Sequence, residues 1–140
     1  MIINRISKFF IILFLLHGSL ATGQIGISDR INEENDRGPS PEAIEQAALK
    51  ELARENYYGA MRYYKILIKA DPLNAKALKG YGEAAIKYAA FDSALVAFRT
   101  LVDHGLTSPD GEPIMRLAEV YYQLGQYEEA RALFRRYLFE

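Results

Sequence analysis

The sequence predicts an all-α fold, a solenoid of three stacked helix–turn–helix units. The first observation behind this is a recurring cluster: an aromatic residue, an alanine three positions on, and a second large aromatic four beyond that. It occurs as Tyr57, Ala60 and Tyr64, as Phe91, Ala94 and Phe98, and as Tyr127, Ala130 and Phe134. The second is the period, since the alanines lie 94 − 60 = 34 and 130 − 94 = 36 residues apart. The third is a set upstream of two of the clusters: Leu78, Tyr81 and Gly82, then Ile114, Leu117, Ala118 and Tyr121. Self-similarity at such a period marks stacked units that share a continuous core.

The chain opens with Arg5 and Lys8, followed by the apolar run Phe9–Leu16 and then small residues up to Gly23. A positive opening, a short apolar core and small residues before a boundary are the parts of a secretory signal. Residues 1–23 are therefore expected to be a signal peptide. Ala21 and Gly23 fit cleavage before Gln24, and Ser19 with Ala21 fits the competing site after Ala21. An uncleaved anchor is the alternative, but the apolar run is far short of the roughly 20 residues that span a bilayer core. No cysteine lies near the boundary to carry a lipid. The expected mature chain has no stable membrane insertion and is exported, to a periplasm or the cell exterior.

Residues 24–40 carry no apolar period and end in Gly38, Pro39 and Ser40, just before Pro41, so they read as a flexible polar leader. Ser40 caps and Pro41 opens the first helix, a position where proline loses no needed donor. Helices are expected at about 41–54, 57–70, 74–88, 91–104, 112–124 and 127–139, in units of about 41–73, 74–108 and 109–140. Asn74 is placed as the cap of the third helix, and Gly105 as the left-handed residue that ends the fourth. Small residues at Ala48, Gly82 and Ala118, and at Ala60, Ala94 and Ala130, mark close helix crossings. The aromatics Tyr64, Phe98 and Phe134 fill the space one turn on, facing the next unit. Small against large at helical spacing gives interdigitated packing.

These residues resemble the tetratricopeptide repeat family over about 100 residues. The third unit matches through Ile114, Leu117, Ala118, Tyr121, Gly125, Tyr127, Ala130, Phe134 and Tyr137. The second matches through Leu78, Gly82, Phe91, Ala94, Phe98 and Leu101. The first matches through Ala48, Tyr57, Ala60, Tyr64, Leu67 and Asp71-Pro72, and departs from the pattern at Glu51, where a bulky apolar residue is expected. The resemblance implies a right-handed α–α superhelix whose first helices line a concave groove that takes a peptide or partner helix. Carried onto this chain, the groove holds Glu45, Leu49 and Leu52, then Lys76, Lys79, Glu83, Ile86 and Lys87, then Glu112, Met115, Glu119, Tyr122 and Gln123. That is a basic middle between acidic flanks, with apolar patches. The family's carboxylate-gripping co-chaperone branch does not fit. Glu45, Leu49 and Glu83 stand where its basic and amide side chains would be, and only Arg116 is suitably basic.

Composition narrows the chemistry. The 140 residues are 50% apolar and 25% charged, the balance of a folded domain. There is no cysteine, and the histidines are His17 and His104. With His17 in the expected signal, one imidazole remains, too little for a histidine metal site or catalytic network. Without residues 1–23, 17 − 2 = 15 bases face 18 acids, a mature charge near −3 with no attraction for nucleic acid. His104 reads as a helix-end cap. The adjacent acids Glu128-Glu129 read as helix-start charges. Asp110-Gly111 resembles a fragment of a calcium loop without the further oxygen ligands. No cofactor, catalytic or metal residues are expected.

Tyrosines come in pairs, Tyr57-Tyr58, Tyr63-Tyr64 and Tyr121-Tyr122. One of each pair can pack inward while its neighbour, about 100° round the helix, faces elsewhere. Tyr122 is the best candidate for an exposed contact. In the last helix Phe134, Tyr137 and Leu138 form an apolar edge that a further unit, a partner or a second copy of the chain would cover. Together the residues and the resemblance imply a non-enzymatic protein-interaction scaffold of the cell envelope. One alternative is the front module of a longer envelope-assembly or peptidoglycan-associated protein. Another is a hydrolase built on Glu83 and Glu119. Ala94→Leu should overpack the helix crossing and cost about 1–3 kcal/mol; an unchanged thermal melt would remove the crossing role.

Overall fold

The computed structural model describes residues 38–139. The expected signal, residues 1–23, and residues 24–37 of the expected leader lie outside the described residues. Within them are six helices: α1 (Pro41–Ala53), α2 (Tyr57–Ala70), α3 (Ala75–Lys87), α4 (Phe91–Asp103), α5 (Glu112–Gln123) and α6 (Tyr127–Phe139). No strand occurs among the described residues. Each helix packs chiefly on its neighbours in the chain, the contact pattern of an α–α superhelix built from hairpins. The expected ends differ by one residue at five places. Arg54, Asn74, Tyr88, His104 and Leu124 are caps, flanking their helices without belonging to them.

Local chemistry sets the starts. Ser40 Oγ accepts from the Ala43 amide, with Pro41 in the first turn. Asn56 Oδ1 accepts from the Gly59 amide and Asn74 Oδ1 from the Ala77 amide. Each such cap contributes about 1 kcal/mol. Glu51, the departure from the repeat pattern, has a polar task in the same network. Its Oε2 accepts from Asn56 Nδ2 at 2.6 Å, so the side chain that caps α2 is itself held by the end of α1.

The turns within the hairpins are one structure used three times. In residues 54–56, 88–90 and 124–126 the middle residue is left-handed: Glu55 at φ 59°, Ala89 at φ 59° and Gly125 at φ 75°. The next amide then reaches back five residues, from Asn56 to the Glu51 carbonyl, Ala90 to Ala85 and Gln126 to Tyr121. That is the Schellman closure, and Leu106 to Leu101 repeats it after Gly105. Only the third hairpin turn has glycine. Glu55 and Ala89 hold a conformation that costs a residue with a Cβ about 1–2 kcal/mol.

The core runs along the stack with no buried polar or charged residue among those described. Phe98, Leu101 and Val120 are its largest fully enclosed side chains, each worth roughly 1.5–3 kcal/mol against exposure. Two glycines of α3 make the close approaches. The Phe98 ring covers Gly82 so tightly that a Cβ there would lie 2.6 Å from it, and the Tyr64 ring lies against Gly80 in the same way. Tyr64 thus reaches the next hairpin, as expected, while Phe98 seats on the first helix of its own. Ala48, Ala60, Ala94 and Ala118 are fully buried, and Ala130 is nearly so.

Ala89→Gly should relieve the left-handed strain and stabilise by about 1 kcal/mol, raising the melting temperature by roughly 4–8 °C. Gly125→Ala should move it the other way by a similar amount. Melting curves of the two variants followed by circular dichroism check both signs, and a loss of stability in Ala89→Gly would contradict the strained turn.

Candidate functional site

The first helices α1, α3 and α5 are linked by charges across the hairpins. Lys76 Nζ of α3 meets Glu45 Oε1 of α1 at 2.5 Å, and Lys79 Nζ of α3 meets Glu112 Oε2 of α5 at 2.5 Å. Within helices, Lys79 also faces Glu83 at 3.9 Å and Arg116 holds Glu119 at 3.1 Å. Arg116 Nε is buried and lies 3.8 Å from Glu112 Oε1 without a hydrogen bond. The basic middle read from the sequence is therefore engaged: Lys76 and Lys79 bridge to acids of the flanking helices. Lys87, at the end of α3, is exposed.

The other residues of the expected groove divide by exposure. Leu52 and Ile86 are half-buried against the core, and Met115 is half-buried as well. Leu49 and Tyr122 stand out into solvent, as does Gln123. Glu83 and Glu119, the carboxylates of the hydrolase alternative, are each ion-paired, to Lys79 and Arg116. The tyrosine pairs split as their spacing requires. Tyr64 and Tyr121 are buried while Tyr63 and Tyr122 are exposed, and Tyr58 is exposed beside a half-buried Tyr57.

At the far end, α6 repeats the pattern of α2 and α4 without their cover. Tyr137 stands where α2 has Leu67 and α4 has Leu101, which are 6% and 1% exposed, yet Tyr137 is 37% exposed. Its ring rests against Gly111. Leu138 is more exposed still, and Phe134 is half-buried on the core.

The remaining sequence candidates have structural roles. His104 Nδ1 donates to the Thr100 carbonyl at 3.0 Å, the helix-end contact expected of it. Asp110 accepts from the Ser108 hydroxyl and from the Glu112 amide, and these bonds hold its carboxyl below the usual range. It closes the start of α5. Among the described residues no group of three acidic, histidine or cysteine side chains converges as a metal site, and no helix is long and apolar enough to cross a membrane.

Sequence reasoning missed two features. The bond between Glu51 and Asn56 depends on a turn geometry that composition does not announce. The ring contact of Tyr58 with Tyr88, centroids 5.7 Å apart, joins two hairpins, and no pattern within one unit reveals it.

With this geometry in view, the chain can be set beside known proteins. No protein-family model matches it, and no curated protein matches it. Solved structures do. Two crystal forms of MamA AMB-1, a tetratricopeptide-containing protein, superpose with TM-scores of 0.64 and 0.62 at 19% and 20% identity. The alignments cover 89% of this chain and 65% and 70% of theirs. A MamA point mutant gives 0.63 at 22% identity, again with 89% of this chain against 65% of that one. The chain thus spans about two thirds of the MamA length. The likeness is one of fold: a helical repeat superhelix of tetratricopeptide type.

Two groups, Tyr64 of α2 and Lys79 of α3, couple this arrangement to pH. Burial, then the charges of Glu45 and Glu83, push the Tyr64 phenol above the ordinary tyrosine range. The hydrogen bond to Glu112 lifts the Lys79 ammonium above its ordinary range, against a smaller opposing effect of burial. Both bind their proton more tightly folded than unfolded. Their stabilisation is complete below the unfolded values, about 10 for each, and is lost as pH rises through the folded ones. The melting temperature should therefore fall above pH about 10. Tyr64→Phe, which keeps the ring on Gly80, should make that fall shallower, and identical alkaline limbs would remove Tyr64 from the linkage.

Proposed function

We propose that residues 40–139 form a non-enzymatic protein-interaction scaffold that works, after export and loss of residues 1–23, in the cell envelope. One observation carries this reading. The inner side commits Lys76 and Lys79 to neighbouring helices yet leaves Leu49 at one end and Tyr122 at the other in solvent. An ion-paired platform with exposed apolar anchors suits a peptide or partner helix laid across α1, α3 and α5, anchored by an aromatic and an aliphatic side chain. A hydrolase would need an acid pair with a role beyond structure, and Glu83 and Glu119 are both occupied by cations.

The exposed edge of α6 is a second contact. Its Tyr137 takes the position of Leu67 and Leu101, which are buried in the first two units, and Leu138 beside it stands exposed. A second copy of this chain is one cover, and a further helix of a longer envelope-assembly or peptidoglycan-associated protein is the other.

Photocrosslinking in the full chain tests both surfaces. A photoreactive phenylalanine replaces Leu49, Tyr122, Leu138 or, as control, Val96 of α4, one at a time. Adducts to one protein from Leu49 and Tyr122, absent from Val96, are expected. From Leu138, an adduct of twice the chain mass would identify a second copy. Equal labelling from Val96 would move the site off the inner side.

A further inference from the structure

The outer face of α2 holds three cations, and the helix carries no acid. Arg62, Lys65 and Lys69 are all exposed, and none of them has an ion pair or hydrogen bond among the described residues. At about 100° per residue the three lie on one side of the helix with Ile66 among them, opposite the buried Ala60, Tyr64 and Leu67. Ile66 is 49% exposed. These four side chains line an open groove of about 640 Å³. The one acid among the residues lining it, Glu51, is taken by Asn56 and Arg54. The repeat does not ask for the cations. At the matching positions, 34 residues on, α4 has Val96, Arg99, Thr100 and Asp103, and there Arg99 faces Asp103 at 3.9 Å. Charge is thereby segregated. Residues 38–139 hold 13 bases and 13 acids, and α2 takes 3 of the bases, so 13 − 3 = 10 bases face 13 acids in the rest.

We infer that this face docks an acidic amphipathic helix of a partner protein, with carboxylates on Arg62, Lys65 and Lys69 and an aliphatic side chain on Ile66. Charge complementarity argues for the acid. Like charges three and four residues apart on a helix repel, and carboxylates brought by a partner replace that repulsion with attraction. Spacing argues for a helix. The cations stand at i, i+3 and i+7 over about 10 Å, and a second helix with acids at the same intervals presents matching charges beside one apolar residue at i+4. Range argues for a short segment over an extended anionic surface. Charges in solution act over about 8 Å at physiological ionic strength, so a segment held in the groove feels the local cations. A bilayer or a nucleic acid reaches past them and meets the acid excess of the other described residues. None of the four residues belongs to the inner side, so the inference goes beyond the scaffold reading of that side and is tested apart from it.

The test is fluorescence anisotropy of a labelled peptide, two repeats of Glu-Ala-Ala-Glu-Leu-Ala-Ala, titrated with the full chain. Its control has glutamine in place of each glutamate. Saturable binding, at least about tenfold tighter than to the control and weakening as salt rises from about 50 to about 500 mM, is expected. Arg62→Glu with Lys69→Glu should weaken it by about tenfold. Lys50→Glu with Lys87→Glu makes the same change in net charge at exposed sites elsewhere and should leave affinity within about twofold. Ile66→Ser should weaken binding by about threefold with charge intact. Helicity and melting temperature of each variant serve as the folding check, and Lys65→Gln carries the test if the double variant melts early. Equal binding of the glutamine peptide, an equal loss in the Lys50 and Lys87 variant, or unchanged affinity in the folded Arg62 and Lys69 variant would each overturn the inference. So would tighter binding to phosphatidylglycerol vesicles or to single-stranded DNA than to the peptide.

Discussion

The seating of large rings on glycine is the constraint from which the rest of this fold follows. Gly80 and Gly82, on α3, each take an aromatic face, from Tyr64 of the preceding hairpin and from Phe98 of its own. One helix is thereby fixed from two sides at van der Waals distance, and its neighbours' positions follow. An alanine at either site would place a methyl inside a ring, and neither Phe98, with no exposed surface, nor Tyr64, with little, has room to give. Because the interlock joins consecutive hairpins, it sets the spacing of the first helices. That spacing brings Glu45 to Lys76.

These ion pairs change what the inner side can do. Exposed pairs contribute little to stability, since solvent screens them and long side chains lose freedom in forming them. Their consequence here is selectivity. Two of the three lysines on this face, Lys76 and Lys79, already have carboxylate partners, which leaves Lys87 as the exposed lysine able to meet an incoming anion. The same pairing removes Glu83 and Glu119 as a free acid pair.

Most of the fold was legible in the sequence because repetition amplifies it. Three copies of aromatic, alanine and aromatic at fixed spacing placed all six helices to within a residue, and the Ser40 and Asn74 caps were readable from local chemistry. The turns were legible only in part. Gly125 announces a left-handed residue, but Glu55 and Ala89 occupy the equivalent places without glycine, and only alignment of the three units could have flagged them. Glu51 read as a defect until its bond to Asn56 showed a polar substitute for an apolar contact. The site was harder to read, since exposure could be assigned from helical phase but partnership could not. Lys76 and Lys79 looked available because their acids lie 31 and 33 residues away in the chain, brought close only by the stacking.

Exposed tyrosine arises here from the same periodicity that builds the core. A helix turns about 100° per residue, so when two tyrosines are adjacent and one packs inward, the other cannot. Tyr64 and Tyr121 are held by the stack, whereas Tyr63 and Tyr122 are left to solvent. Substitution at the outward member leaves the interlock untouched, so it is free to take whatever character a partner requires. The turns extend this freedom. Their backbone closure depends on one left-handed residue and one long-range amide bond, and makes no demand on flanking side chains such as Tyr58, Tyr88 and Tyr127. A solenoid of this kind therefore separates constraint by position: residues facing the next helix carry stability, and those beside the turns and in solvent are left free of that demand.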